Sequence, residues 1–234
     1  MSLRVLAIGD IHGQLGQFDA LLDAIALTPD DHLVLLGDYV DRGPHSAGVL
    51  NRIMQLRNKC KLSAIKGNHE EMMLAARGGR LDLLREWTFN GGDKTLESYA
   101  GQRATIKDVL PEHWKFLESG LVEYVETDTH IFVHANCYPD HAMADQPDFM
   151  LRWERCDQIS PHQSGKVIVC GHTPQKSGRP MNKGFAICLD TGAGFKRPLT
   201  GMDVTSGKIW QAHHAGNVTR AHITDFADDT TDDE

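Results

Sequence analysis

The stretch "RVLAIGDIHGQ", residues 4–14, decides the predicted fold. Its apolar run "VLAI" predicts a short buried strand, and the glycines on either side of "DIH" allow tight backbone turns. Because alternate side chains of an extended segment share a face, Asp10 and His12 can point at one common spot. A carboxylate and an imidazole that converge in this way indicate a metal site, although a structural turn would also explain the hexapeptide "GDIHGQ" by itself.

The composition is that of a globular protein with a core, and we expect one domain. The chain has 234 residues, of which 41% are hydrophobic, and its formal net charge is −8. This charge gives no general reason to bind nucleic acid or an anionic membrane, so neither partner is expected. The oligomeric state is left open.

Several features of the chain predict a cytoplasmic location. No apolar run approaches the roughly 18 residues of a membrane-spanning helix, and the chain enters its first strand without a signal-peptide segment. The five cysteines are widely spread and include no C-x-x-C pair, so neither a disulfide framework nor a zinc knuckle is indicated.

Short apolar runs alternate with helical patterns in the first third of the chain, which predicts βαβ units and parallel strand pairing. The runs "HLVLLGD" and "LSAIKGN" continue the pattern, and "HIFVHAN" and "KVIVCGH" follow later. We predict a single domain over residues 1–224 with a helical insertion at about 70–120. The acidic residues 225–234 then form a disordered tail, or alternatively an interaction tail.

Five apolar runs each end in a residue of a metal-binding type. These residues are Asp10 and His12, Asp38, Asn68, His134 and His172. Residues just past the carboxyl ends of parallel strands gather in one crevice, so we expect the set to converge. Oxygen and nitrogen donors without a thiolate suit Mn, Fe or Zn. Six ligands are too many for one catalytic ion, whereas two ions with a bridging carboxylate would use them and clamp a phosphoryl group.

The order of the motifs resembles that of the calcineurin-like metallophosphoesterases. The motifs are "GDIHGQ" (9–14), "GDYVDRG" (37–43), "GNHE" (67–70), "HA" (134–135) and "GHT" (171–173). More narrowly, they resemble the phosphoprotein phosphatase superfamily, which includes bacterial serine/threonine phosphatases and symmetrical diadenosine tetraphosphate hydrolases. The resemblance implies an α/β fold in which two mixed β-sheets pack as a central sandwich flanked by helices.

The resemblance also implies two divalent transition-metal ions, most readily Mn²⁺, with Fe or Zn as alternatives. Asp10 and His12 would hold the first ion, Asp38 would bridge, and Asn68, His134 and His172 would complete the second site. A shared anionic oxygen offsets the repulsion between two dications, and the ions would lower the pKa of bound water to give a hydroxide nucleophile near neutral pH.

Proton transfer is assigned to the histidine of "GNHE". By resemblance, His69 protonates the leaving oxygen, and Asp41 orients its imidazole and raises its pKa. The alternative is a structural role in which His69 caps a helix at 70–77.

Two arginines are expected to bind the phosphate. Arg42 in "DRG" offers a planar donor fork that suits phosphate oxygens. Related bacterial phosphatases have an arginine two residues after a tryptophan, and the match of Trp153 in "LRWERC" selects Arg155 as the second one. Arg152 is the competing assignment.

The segment "WTFNGGDKTLESY", residues 87–99, resembles one that bacterial protein phosphatases and diadenosine tetraphosphate hydrolases share, so it does not distinguish between these two activities. The chain is short for a dinucleotide hydrolase and shows no obvious aromatic pair for two adenines. The first prediction is therefore a serine/threonine protein phosphatase acting on phosphoproteins or small phosphoesters. The alternative is a diadenosine tetraphosphate hydrolase. A non-catalytic scaffold is improbable because all six ligands and His69 are present.

Overall fold

The computed structural model describes residues 4–227, which form two β-sheets packed face to face. The first sheet has the strand order β11-β10-β9-β1-β2-β3 and the second has the order β4-β5-β6-β8-β7. The strands are β1 (Val5–Ile8), β2 (His32–Leu35), β3 (Lys61–Ala64), β4 (Tyr124–Glu126), β5 (His130–Val133), β6 (Val167–Cys170), β7 (Met181–Asn182), β8 (Ala186–Cys188), β9 (Leu199–Asp203), β10 (Lys208–Ala212) and β11 (Val218–His222).

Seven α-helices accompany these strands within the described residues. They are α1 (Leu15–Ile25), α2 (Ser46–Leu56), α3 (Asn68–Arg77), α4 (Leu81–Trp87), α5 (Asp93–Ala100), α6 (Pro111–Ser119) and α7 (Asp148–Arg152). In α1, Phe18, Leu21, Leu22 and Ile25 are buried at helical spacing, as the sequence pattern predicts. Helix α6 begins with a proline in its first turn, where the missing N–H costs nothing.

Each sheet pairs its central strands in parallel, so their carboxyl ends lie at a common edge. Strand β1 pairs with β2 and β2 with β3, while β5 pairs with β6 and β6 with β8, all in parallel. The remaining pairs are antiparallel, so both sheets are mixed. The predicted fold class, two mixed sheets flanked by helices, is confirmed.

The alternation of side chains along β1 shows how the layers form. Leu6 and Ile8 point into a cluster with the helices, whereas Ala7 points into the interface between the two sheets. Val34 of the first sheet and Phe132 of the second meet Ala7 in that interface. Because both faces of β1 and β2 are covered, these two strands are almost continuously apolar, as buried parallel strands are.

The first residues of the predicted acidic tail, 225–227, belong to the described structure. Asp225 and Phe226 belong to a short 3₁₀ turn at Ile223–Phe226, and the Phe226 ring packs into the interface cluster between the sheets. Burial of this aromatic ring extends the folded part beyond the predicted boundary. The rest of the predicted tail, residues 228–234, lies outside the described residues. Within 4–227, no helix is both long and apolar enough to cross a membrane.

We expect Phe18→Ala to lower the free energy of unfolding by about 3–5 kcal/mol, because truncation of a buried ring leaves a cavity in the core beneath α1. Phe18 has no exposed surface, whereas Phe149 on α7 is 58% exposed. Phe149→Ala is therefore the control, with an expected change within about 0.5 kcal/mol. Urea denaturation measures both, and equal losses for the two variants would contradict this view of the core.

Candidate metal centre

Six side chains that follow five strands of the two sheets come together at one edge of the sandwich. They are Asp10 and His12 after β1, Asp38 after β2, Asn68 after β3, His134 after β5 and His172 after β6. Five of the six are buried, and His172 is partly exposed. Contacts within the set join them into one cluster, as expected for residues past the carboxyl ends of parallel strands. Asp10 is joined to it by the backbone N–H of His172, which donates to the carboxylate at 3.1 Å.

The Asp38 carboxylate lies between two imidazoles. Its Oδ2 is 3.5 Å from His12 Nε2, and its Oδ1 is 3.4 Å from His134 Nε2. Burial disfavours a charge on this group, and it is positive charge around the carboxylate, on His134, His69 and His12 when they are protonated or on a cation bound in their place, that holds the pKa of Asp38 below its usual range. Asp38 thus stays ionised and presents one oxygen to each imidazole, as a bridging ligand does.

The histidine rings are oriented by carbonyl groups outside the cluster. His12 Nδ1 lies 2.9 Å from the Val40 carbonyl oxygen, and His134 Nδ1 lies 2.8 Å from that of Leu36. A proton on each Nδ1 leaves the Nε2 lone pair directed into the cluster, which is how metal-ligating histidines are held. Burial lowers the pKa of both rings and favours the neutral form that binds a metal.

A second group of ligand atoms surrounds the Asn68 side chain. Asn68 Oδ1 is 3.0 Å from His134 Nε2 and 3.0 Å from His172 Nδ1. His172 Nε2 is 3.0 Å from the carbonyl oxygen of Trp153, so its Nδ1 is the atom left for a ligand role. Burial lowers the pKa of His172 to about 4, which keeps the ring neutral.

The carboxylates of the cluster require positive charge nearby. Burial, with Asp190 and Asp38 close by, raises the pKa of Asp10. Asp190 is itself buried, and its Oδ2 has no hydrogen-bond partner among the described residues. Three carboxylates gathered out of water are stabilised by a cation. Together with imidazole donors they form a set that fits hard to borderline divalent ions.

Strained backbone is concentrated at this edge. Seven described residues other than glycine have positive φ, and five of them are His12, Asp38, Asp41, Arg42 and His172. Such conformations cost of order 1–3 kcal/mol each and persist where the surrounding structure holds them, most often at functional sites.

His69 and Asp41 form a hydrogen-bonded pair beside the cluster. His69 Nδ1 is 2.7 Å from Asp41 Oδ2, and both side chains are buried. The indole N–H of Trp87 and the hydroxyl of Thr95 donate to the same carboxylate at 2.9 and 2.6 Å. Burial opposes a charge on His69, but Asp38 and Asp41 outweigh it and raise the pKa of the imidazole.

His69 lies in the first turn of α3, whereas the structural alternative placed it ahead of a helix at 70–77. The helix begins at Asn68, two residues earlier than predicted. The two neighbouring side chains still diverge, because successive residues of a helix face different directions. Asn68 faces His134, and His69 faces Asp41.

The Arg42 guanidinium lies over the two histidines. Its Nη1 is 2.6 Å from His12 Nε2, and its Nη2 is 2.9 Å from His69 Nε2. The Phe195 ring stacks against the guanidinium at 4.9 Å, and the backbone N–H of Arg42 donates to the Gly91 carbonyl at 3.1 Å. Arg42 is therefore enclosed by two turns and aimed at the cluster.

The two competing arginines lie in different environments. Arg152 is buried and pairs with Glu71, Glu123 and Asp148. Arg155 is exposed and pairs with Asp157. Within residues 4–227, no hydrogen bond joins either guanidinium to the six-residue cluster.

The backbone of Arg155 is nevertheless anchored near the cluster. Its carbonyl accepts a hydrogen bond of 2.9 Å from Asn136, two residues after His134. The carbonyl of Trp153, two residues earlier, holds His172.

Glu70 is a residue whose role the sequence did not reveal. Its carboxylate accepts backbone N–H groups of Asp38, Tyr39 and Gly67 at 2.9, 2.8 and 3.0 Å, and so fixes the loop that carries Asp38. It is the last residue of "GNHE", but an acidic residue in a first helical turn is common and gave no specific signal. Asp190 also lies outside the predicted set, although it follows the apolar stretch 186–189 that contains β8, as the six predicted ligands follow their strands.

Comparison with known proteins identifies relatives across most of the chain. The calcineurin-like phosphoesterase family matches residues 3–183. Serine/threonine-protein phosphatase 1 of Salmonella typhimurium is 31% identical over 206 residues, which are 84% of this chain and 90% of the relative.

A second relative and a solved structure match different shares of the chain. A symmetrical bis(5'-nucleosyl)-tetraphosphatase of Chromohalobacter salexigens is 32% identical over 134 residues, 50% of this chain and 48% of the relative. A solved protein serine/threonine phosphatase from Saccharomyces cerevisiae has the same fold, with a TM-score of 0.60 and 15% identity, over 94% of this chain and 79% of that chain.

We expect the unmutated protein to bind two divalent ions per chain. The Asp38→Asn variant should lose most of its content of both ions, because an amide cannot supply two anionic oxygens. Elemental analysis after gel filtration measures the ratio. Asp203→Asn is the matched control, since Asp203 is equally buried but lies at the far end of the sheet, opposite Leu6. Retention of both ions by the Asp38 variant would refute the bridging role.

Proposed function

The chain belongs to the calcineurin-like phosphoesterases, and from that premise we propose that it removes phosphate from phosphoserine and phosphothreonine residues of proteins. It is a metal-dependent phosphoester hydrolase. The observation that carries the proposal is the Asp38 carboxylate between His12 and His134, with the His69–Asp41 pair beside it. The serine/threonine phosphatase relative, which is matched along 90% of its length, favours a phosphoprotein substrate.

In this proposal the two ions are held by the residues of the six-member cluster, with Asp38 shared. When bound, they supply Lewis-acid activation of water and of the phosphoryl oxygens. Mn²⁺ suits the oxygen and nitrogen donors, and Fe or Zn would also be accepted. The protein's part is to keep the three histidines neutral and the Asp38 carboxylate ionised.

His69 is the proposed general acid. Asp41 accepts the Nδ1 proton, so Nε2 is the ring nitrogen left to carry the proton that is transferred. To do so, Nε2 must exchange its 2.9 Å contact with Arg42 Nη2 for the leaving oxygen. Trp87 and Thr95 hold the Asp41 carboxylate and keep the imidazole in one orientation. Protonation of the leaving oxygen avoids the expulsion of an alkoxide.

Arg42 and Arg155 are the proposed phosphate-binding residues. The Arg42 guanidinium already lies over the cluster, and its planar fork matches two phosphate oxygens. Arg155 is supported by the anchoring of its backbone between the loops that carry His134 and His172. Arg152 is the weaker assignment because three carboxylates already surround its guanidinium.

A diadenosine tetraphosphate hydrolase remains the second candidate, and one structural observation favours it. The sequence showed no obvious aromatic pair, but Phe195 and Phe89 are 52% and 91% exposed on the two turns that enclose Arg42. Exposed aromatic rings beside a phosphate site can stack on a nucleobase. The partial match to the tetraphosphatase relative is consistent with this candidate.

We further propose a single catalytic domain and a cytoplasmic location. Both sheets contribute to one interface core, which argues for one domain. All five cysteines are free, which suits a reducing compartment.

Steady-state kcat/KM values for a phosphoserine peptide, a phosphotyrosine peptide and diadenosine tetraphosphate test the function directly. We expect the phosphoserine peptide to be the best of the three, because the relative matched over most of its length is a serine/threonine phosphatase. A higher value for diadenosine tetraphosphate would replace the first candidate by the second.

His69→Asn is expected to lower kcat by about 10²–10⁴ for an alkyl phosphate, the usual contribution of general acid catalysis. The loss should shrink for an aryl phosphate with a good leaving group, which needs less protonation. Elemental analysis should find the metal content unchanged. An equal loss for both esters would show that His69 does not act as the acid.

Arg42→Ala and Arg155→Ala should each lower kcat/KM by roughly 10 to 100-fold, because a charge-assisted hydrogen bond contributes about 1.5–3 kcal/mol. Lysine at either position should restore little of the lost kcat/KM, because its ammonium group lacks the planar pair of donors that binds two phosphate oxygens. Arg80→Ala is the matched control, because Arg80 is exposed and pairs with Asp82 two residues on, as Arg155 does with Asp157. If the kcat/KM of Arg155→Ala equalled that of Arg80→Ala, Arg155 would not be a phosphate-binding residue.

A further inference from the structure

Three buried cysteines meet behind the loop that carries His172. Cys170 ends β6 and Cys188 ends β8, where the two residues pair in register, and Cys156 begins a 3₁₀ turn at Cys156–Gln158. Their sulfur atoms all lie within 4.8 Å of one another, and none of the three residues has exposed surface. The sequence separated them widely and predicted no thiolate site, so only the fold brings them together.

The spacing of the sulfur atoms suits one metal ion. A zinc–thiolate bond is about 2.3 Å long, so an ion at the centre of three sulfur atoms requires them to be about 4.0 Å apart. Sulfur atoms within 4.8 Å of one another reach that arrangement by shifts of less than about 1 Å, which side-chain rotation can supply.

The ligand type separates this cluster from the catalytic one. It consists of thiols alone, whereas the catalytic cluster consists of carboxylate, amide and imidazole groups. Thiolates select soft or borderline ions. Three thiolates with a divalent ion have one net negative charge, whereas three thiolates with a monovalent ion have two. Because burial disfavours the larger net charge, the cluster favours a divalent ion.

Neighbouring groups supply a further donor. The Cys188 sulfur lies 3.4 Å from the Gly171 carbonyl oxygen and 3.5 Å from that of Thr173, so a carbonyl oxygen is at hand as a fourth donor. Arg155 and Asp157, on either side of Cys156, are exposed, so the buried Cys156 belongs to a turn at the surface of the protein.

We propose that Cys156, Cys170 and Cys188 form a second, separate metal site that takes one thiophilic divalent ion of the Zn²⁺ or Cd²⁺ class. The site joins the ends of β6 and β8 to the turn at residue 156. It does not depend on the proposed substrate of the enzyme.

Cadmium titration of the fully reduced full-length protein, loaded beforehand with Mn²⁺, tests the site. Thiolate-to-cadmium charge transfer absorbs in the ultraviolet, whereas ligation by carboxylate and imidazole groups gives no such band. We expect the band to saturate at one equivalent of Cd²⁺ and to compete with Zn²⁺. Cys156→Ala, Cys170→Ala and Cys188→Ala should each lose most of it.

Two variants outside the cluster serve as matched controls. Cys137→Ala removes a buried thiol and Cys60→Ala a partly buried one, and both should keep the full band. Cys156→Ala, in a surface turn, is the decisive variant if either strand variant fails to fold by circular dichroism.

Absence of a charge-transfer band in the folded protein would overturn the proposal. So would a full band in Cys156→Ala, or loss of the band in Cys137→Ala or Cys60→Ala. Because none of these readouts measures phosphatase activity, failure of this proposal is distinguishable from failure of the proposed function.

Discussion

The Asp38 carboxylate, held between the imidazoles of His12 and His134, is the interaction on which the rest of the site depends. It sits at the end of β2 with positive φ, and the carboxylate of Glu70 fixes its backbone by accepting the N–H groups of the loop. A side chain at Gly67 would collide with the Asp38 carboxylate. The glycine of "GNHE" is therefore required for this close approach.

The sandwich makes this arrangement possible because its two sheets contribute different ligands. The first sheet carries Asp10, Asp38 and Asn68, and the second carries His134 and His172. The interface core between the sheets sets their separation, and close-packed protein interiors do not deform continuously. The site can thus keep several carboxylates out of water and several residues in left-handed backbone, at a cost in stability that the rest of the fold offsets.

Much of the fold and of the cluster could be predicted from the sequence. Apolar runs that end in Asp, Asn or His carry both the strand and the ligand in one short segment, so "GDIHGQ" indicated the position of Asp10 and His12. The role of Glu70 could not be predicted, because it acts through contacts with residues far away in the chain. The same holds for Trp87 and Thr95, which hold Asp41. Asp190 could have been included in the predicted set, because it follows an apolar run of the same kind. Cys170 and Cys188 meet because β6 and β8 pair in a particular register. The spacing of the cysteines along the sequence does not reveal that register.

Anomalous X-ray diffraction from crystals of the manganese-loaded enzyme is the most direct test of the central claim, a dinuclear centre bridged by Asp38. The account predicts two peaks per chain, about 3.5–4 Å apart, with the Asp38 carboxylate in contact with both. A single peak, or two peaks of which only one contacts Asp38, would contradict it.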